Sequence, residues 1–182
     1  MLEFLNFEDM VRFVVKKARA MNDRMPLMYS DVTVEIRDKD GNLKFHAEQH
    51  NLRTNAGADF WNTQLFSTSP AAKGAGYMAL STATTATATD TTLPSEITTG
   101  TTLVRTSALT PTHSAGTGQS QFTHTFTYDG ATPSPPVVIG LLGLFNDTHA
   151  NGGTLALETA LSPTATVNSS GDSVAITWTI NF

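Results

Sequence analysis

The closing stretch Ser173-Val174-Ala175-Ile176-Thr177-Trp178-Thr179-Ile180-Asn181-Phe182 reads as a β-strand with one buried face. Val174, Ile176, Trp178 and Ile180 fall on one side at a period of two, and Thr177, Thr179 and Asn181 on the other. Working backwards, further strands are read over 154–161, 137–145, 121–128, 102–109 and 77–81. Turn residues part these segments: Ser170-Gly171-Asp172, Asn151-Gly152-Gly153, the prolines at 133–136, Asp129-Gly130 and Ala115-Gly116-Thr117-Gly118. Segment 137–145 is apolar on both faces, so Gly140 and Gly143 mark close strand contact or a bulge.

Further upstream, Val32, Val34 and Ile36 alternate with Thr33, Glu35 and Arg37. The turn Asp38-Lys39-Asp40-Gly41-Asn42 follows, with Gly41 suited to positive φ, and Leu43, Phe45 and Ala47 resume the alternation. A short internal helix is expected next, capped by Thr54 or Asn55 and laying Phe60, Trp61 and Leu65 over one end of the core. With the hairpin this makes eight strands. The fold class is therefore mainly β, an antiparallel β-sandwich for which a jelly roll is one arrangement. The pattern leaves strand order open.

Residues 1–30 are expected to form a helical arm in front of a β-domain over 31–182. Phe7, Met10, Val11, Val14 and Ala18 make an apolar stripe at three- and four-residue spacing. Asn6 can cap this helix, Glu8 and Asp9 suit its positive first turn, and Lys16, Lys17 and Arg19 suit its negative end. Leu2, Phe4, Leu5, Phe13 and Val15 widen the apolar surface, so the helix needs cover on more than one side. Phe4, Phe7, Met10, Val11 and Val14 are the candidate interaction residues, either on their own domain or on another subunit.

A second distinctive segment is the Thr-rich loop at 82–101, within a window holding 14 threonines in the 31 residues 82–112. It is nearly Thr and Ala alone over 84–92 and has no periodicity, so it reads as an extended arm with little apolar area to bury. Contact with a neighbouring subunit or surface disorder are the two readings of it.

Charge is unevenly placed. Residues 1–53 hold nine basic and nine acidic groups, whereas 54–182 hold Lys73 and Arg105 against seven acids. Nine charges in 129 residues fall well short of the quarter to a third, roughly, that a freely soluble surface carries. Clustered Lys and Arg facing phosphates are missing, so no nucleic acid partner is expected. No apolar run reaches the roughly 18 residues that span a bilayer, so no membrane partner is expected either. The acidic, early-charged N-terminus does not read as a secretory signal, and cysteine is absent, so assembly in a cytoplasm is expected.

The search for chemistry returns little. His46 and His50 lie four apart, which on a strand separates them by about 13 Å. His113 and His124 flank one hairpin at similar distances from its centre and can meet only in one turn register. Glu158, between apolar neighbours, has the setting of a glycosidase acid, with no partner evident. No serine sits in a nucleophile elbow, and the glycines are too scattered for a phosphate loop. Trp61 and Trp178 fall in apolar patterns that favour core packing over sugar stacking. No catalytic, metal or cofactor site is expected.

Three segments of the last third stand out together: Gly140-Leu141-Leu142-Gly143-Leu144-Phe145-Asn146, Gly152-Gly153-Thr154-Leu155-Ala156 and Gly171-Asp172 running on to Ile180. With Tyr77-Met78-Ala79-Leu80-Ser81 and Asp90-Thr91-Thr92-Leu93-Pro94-Ser95-Glu96 upstream, 77–182 resembles tailed-bacteriophage virion proteins, either head decoration (cement) or tail-fibre-like. That resemblance implies a β-rich homo-oligomer, often a trimer, without cofactor, located in the virion after assembly in the host cytoplasm. The leading expectation is a capsid decoration protein that stabilises the head by contacting the major capsid protein or other virion proteins. The alternative is a tail-fibre or baseplate component that binds a host-surface glycan. A third class, a glycan-cleaving enzyme, requires a second carboxylate beside Glu158.

Overall fold

The computed structural model describes residues 29–66, 74–113, 115–116, 118–150 and 152–181. The expected N-terminal helix, with Phe4, Phe7, Met10, Val11 and Val14, lies outside them, as does the side chain of Leu65. The described chain is mainly β, with two antiparallel sheets and one helix. Its strands are β1 (Tyr29–Arg37), β2 (Leu43–His50), β3 (Leu52–Arg53), β4 (Tyr77–Ser81), β5 (Thr112–His113), β6 (Gln119–Thr127), β7 (Val137–Phe145), β8 (Leu155–Val167) and β9 (Ser173–Asn181). The helix α1 covers Asn55–Phe66. One sheet has the order β2-β1-β9-β6-β5 and the other β3-β8-β7-β4.

The decisive alternation of β9 places it at the centre of the first sheet. Val32 and Trp178 face each other across β1 and β9, and Phe122 sits opposite Trp178 on the other flank. Val174, Ile176, Trp178 and Ile180 are buried there with Val34, Ile36 and Phe126. Met78, Leu80, Ile139, Leu142, Leu144 and Leu157 of the second sheet close the same core from the opposite side. Burying a side chain such as Leu or Ile this fully contributes about 1.5–3 kcal/mol. The β1–β2 turn forms as expected, with Gly41 at φ 84° and Asp38 accepting from the Asp40 and Asn42 N–H groups.

Three readings are corrected. Residues 102–109 are not a strand. Arg105 turns inward to Glu96 and the Thr106 hydroxyl accepts from the Met78 N–H, so side chains take the places of ladder partners. Leu103 is still buried, and single backbone bonds from Thr106 to Met78 and from Leu109 to Gly76 lay the segment along the β4 edge. The last-but-one strand runs on to Val167. Pro163 falls where the register shifts between Ile139 and Leu141, so its missing N–H removes no ladder bond. Two short strands, β3 and β5, join the eight elements expected, less the lost one.

The third correction concerns the Thr-rich loop, which lies on its own sheet. The second sheet is apolar on its outer face too, where Ala79, Leu93, Leu141, Phe145 and Leu155 form a separate cluster. Ala83 and Ala86 pack on that cluster while Thr84, Thr85, Thr87 and Thr89 point outward. Gly140 permits this approach, because a Cβ there would lie 2.2 Å from the Ala83 carbonyl oxygen. Gly140→Ala is therefore expected to lift the loop and lower stability by about 1–3 kcal/mol. A melting curve, with limited proteolysis between residues 82 and 92, checks this.

Candidate functional site

The loop brings chemistry with it. Glu158 stands on β8 opposite Gly143 and Leu52, on the face that the loop covers, and is wholly buried. Thr87 presents one backbone N–H to two acids, 3.0 Å from Glu158 Oε1 and 3.0 Å from Asp90 Oδ2. The Thr87 hydroxyl donates to Asp90 Oδ1 at 2.7 Å. The Ala88 carbonyl accepts from the Asn55 N–H at 2.7 Å, fixing the loop to the start of α1. That start is itself held by Thr54, whose hydroxyl accepts from Gly57 and donates to the Leu155 carbonyl. Thus β8, α1 and the loop converge on one carboxyl pair.

Burial pushes the Glu158 carboxyl up to about 7, the neighbouring Asp90 charge and its hydrogen bond add to the rise, and the Thr87 N–H opposes it. Glu158 Oε2 is buried without a hydrogen-bond partner. When protonated, Glu158 can donate from this oxygen toward the Asp90 carboxyl group. The sequence offered Glu158 alone. Asp90 was the missing partner, and its one signal was being the lone acid in an uncharged Thr/Ala run.

This pair does not have glycosidase geometry. The Thr87 backbone N–H sits between the two carboxyl groups, 3.0 Å from each, where glycoside cleavage needs a sugar to lie across them. The loop also occupies the space above them. What the arrangement can do is hold the loop down with a strength that depends on protonation.

The other singled-out residues disperse. His113 pairs with Ser120 rather than His124 and its ring bonds the Gln119 carbonyl at 2.7 Å. His124 lies edge-on to Phe126 at 4.6 Å between ring centroids, and burial lowers its pKa. His46 lies 3.6 Å from both Glu35 and Glu48, and His50 contacts Asp31. Asp31, Thr33, Glu48, Gln49 and His50 line an open polar concavity on the outer face of the first sheet. Among the described residues, no group of three or more His, Asp or Glu side chains converges as a metal site requires. Trp178 is core, and Trp61 packs edge-on to Phe60 at 5.1 Å. Among the described residues no helix is long and apolar enough to cross a membrane.

A second buried cluster lies at the far side of the loop segment. Arg105 forms a two-pronged pair with Glu96 at 2.9 and 2.7 Å, both side chains being at most 2% exposed. Its remaining nitrogen donates to the Asp147 and Gly152 carbonyls, and the guanidinium stacks 3.5 Å above the Phe145 ring. With the geometry in place, the chain was compared with known protein families, curated proteins and solved structures, and it matches none of them.

Proposed function

We propose that this protein is a structural subunit of a phage particle, a head decoration protein that stabilises the capsid through contacts with the major capsid protein. One observation carries the reading: beyond residue 53 the described surface of the β-domain is nearly without charge. Of the eight described charged residues beyond residue 53, Glu96, Arg105, Glu158 and Asp172 have buried side chains, leaving only Asp59, Asp90, Asp129 and Asp147. The few charges of this region are thus spent inside, and threonines dominate the exterior. Such a surface gains little from free water and is suited to lasting contact with neighbours.

The closed Glu158–Asp90 pair supports a non-enzymatic role. One core shared by two sheets supports the sandwich, and the pairing of the first strand with the last suits a rolled, jelly-roll-like winding. Assembly in the host cytoplasm and location in the virion follow from this role. The test mixes purified protein with particles that lack it. Saturable binding and a rise in the temperature at which particles release their contents are expected. Particles that bind none of it and gain no heat resistance would falsify the proposal.

A further inference from the structure

We propose that β6 pairs edge to edge with β6 of a second copy of the chain, joining two five-stranded sheets into one. The inference names the contact surface of the structural subunit read above, but its evidence is the backbone rather than that role.

Strand β6 uses one edge throughout Gln119–Thr127 to pair with β9. Its other edge meets β5 only at Ser120 and Gln121. The Gln121 carbonyl accepts from the Thr112 hydroxyl on this side, and the Gln119 carbonyl meets His113, so odd-numbered residues direct their backbone groups outward. Thr123, Thr125 and Thr127 continue that row with exposed side chains. Among the described residues no segment pairs with the row beyond Gln121. Unpaired strand edges recruit other strands, and proteins guard them with charge, proline, brevity or cover.

The other edges of this molecule are guarded. Strand β2 carries Lys44, His46, Glu48 and His50 along its length. Strand β4 is covered by backbone bonds from Ile97, Thr106 and Leu109. Strand β3 has two residues, and beyond it the edge of β8 carries Pro163 while its Ser162 carbonyl accepts from the Gln49 side chain. Among the described residues the β6 edge beyond Gln121 has none of these devices, and 119–128 contains no Lys, Arg, Asp, Glu or Pro.

The occupant follows from self-complementarity. Two β6 strands related by a two-fold axis through Thr125 run antiparallel, as the geometry of an isologous contact demands. Thr123 then faces Thr127 of the partner subunit, Thr125 faces its own counterpart, and about six backbone hydrogen bonds form. Every opposed side chain on the outer face is a threonine, a favourable cross-strand pair, and no like charges meet. On the inner face His124 comes opposite Phe126 of the partner subunit, extending the ring contact it already makes within its own chain. Such a pair is a dimer contact, where the family resemblance implies a trimer.

Sedimentation equilibrium of the full chain up to about 100 µM tests this, because mass action reveals the dimer. The 19.5 kDa chain is expected at twice that mass. Thr125→Pro removes an outward N–H and Thr125→Lys places charge on the edge; each is expected to weaken self-association ~100-fold or more. Thr177→Lys, on the same face but on central strand β9, is the control for folding and is expected to stay dimeric. A monomeric or trimeric wild type, or equal dimerisation of both Thr125 variants, overturns the inference, as does release of the dimer by Thr177→Lys alone. A monomer that still binds particles sinks only this inference, and a dimer that does not bind them sinks only the functional reading.

Discussion

Glu158→Gln is expected to leave stability nearly unchanged at pH 4.5 and below and to raise it at pH 8 by about 2–3 kcal/mol. The sign follows from the direction of the shift. The folded carboxyl titrates at about 7, above its ordinary 4.5, so the folded state holds its proton after the unfolded chain has lost it. Stability from this group is complete below pH 4.5, declines from there to about 7, and stays low above. Glutamine mimics the protonated acid, since its oxygen can accept from Thr87 and its amide can donate to Asp90, yet it never ionises.

Few other charges reach the site. Strand β7 contributes no titratable residue, Arg53 on β3 pairs in register with Leu157 rather than Glu158, and Glu96 at the end of the loop segment is taken by Arg105. Acid-side effects have the opposite sign. Burial alone would raise Asp172, but the Asn168 N–H, the Lys44 ammonium and the Ser169 N–H outweigh it and hold the carboxyl low. The Asp172 contribution to stability is therefore lost as pH falls, and that of half-buried His124, also shifted down, is lost in the same direction. Thermal melts at steps between pH 4.5 and 8.5 separate these terms, because only the Glu158 term disappears in the variant. Parallel wild-type and variant curves would rule out this protonation-dependent hold on the loop. Above pH 7 the wild-type loop at 82–92 should also become more open to proteolysis than the variant's.

What the sequence made legible was whatever depends on neighbours along the chain. Alternation found β9, an apolar run between turn residues found β7, Gly41 found its turn, and Thr54 found the cap of α1, because period and turn chemistry are local. Segment 102–109 misled because β-branched residues signal a strand, while Arg105 and Thr106 make long-range bonds that forbid one. The loop's destination was hidden because alanine is too small to write an apolar stripe. Only the double-sided apolarity of β7 hinted that something must cover it. Glu158 needed Asp90, and His113 lost His124, through strand and loop placement that no local pattern encodes. The N-terminal stripe from Phe4 to Val14 stays a reading of the sequence alone.

Arg105→Met is expected to cost about 3–5 kcal/mol, the largest single-residue loss in the domain. The reason lies less in the pair's own strength than in what the change leaves behind. Methionine keeps much of the stem's volume and its contact with Phe145, so packing changes little. Glu96, however, would remain as an unpaired carboxylate inside the protein, and the Asp147 and Gly152 carbonyls would each lose a charged donor. Desolvating a lone charge costs several kcal/mol unless it takes up a proton. A second substitution separates the two causes. Glu96→Leu combined with Arg105→Met removes both charges and is expected to recover more than half of the loss, the remainder being the two carbonyls. Denaturant unfolding of the two single variants and the double variant closes the cycle. If the double variant is no more stable than Arg105→Met, the cost resides in the carbonyl bonds that tie 105 to the 147–152 turn. In either outcome the residue holds together two loops that carry no regular structure, so the segment along the β4 edge depends on it. That dependence explains why one of the two cations beyond residue 53 is buried and unavailable to the surface.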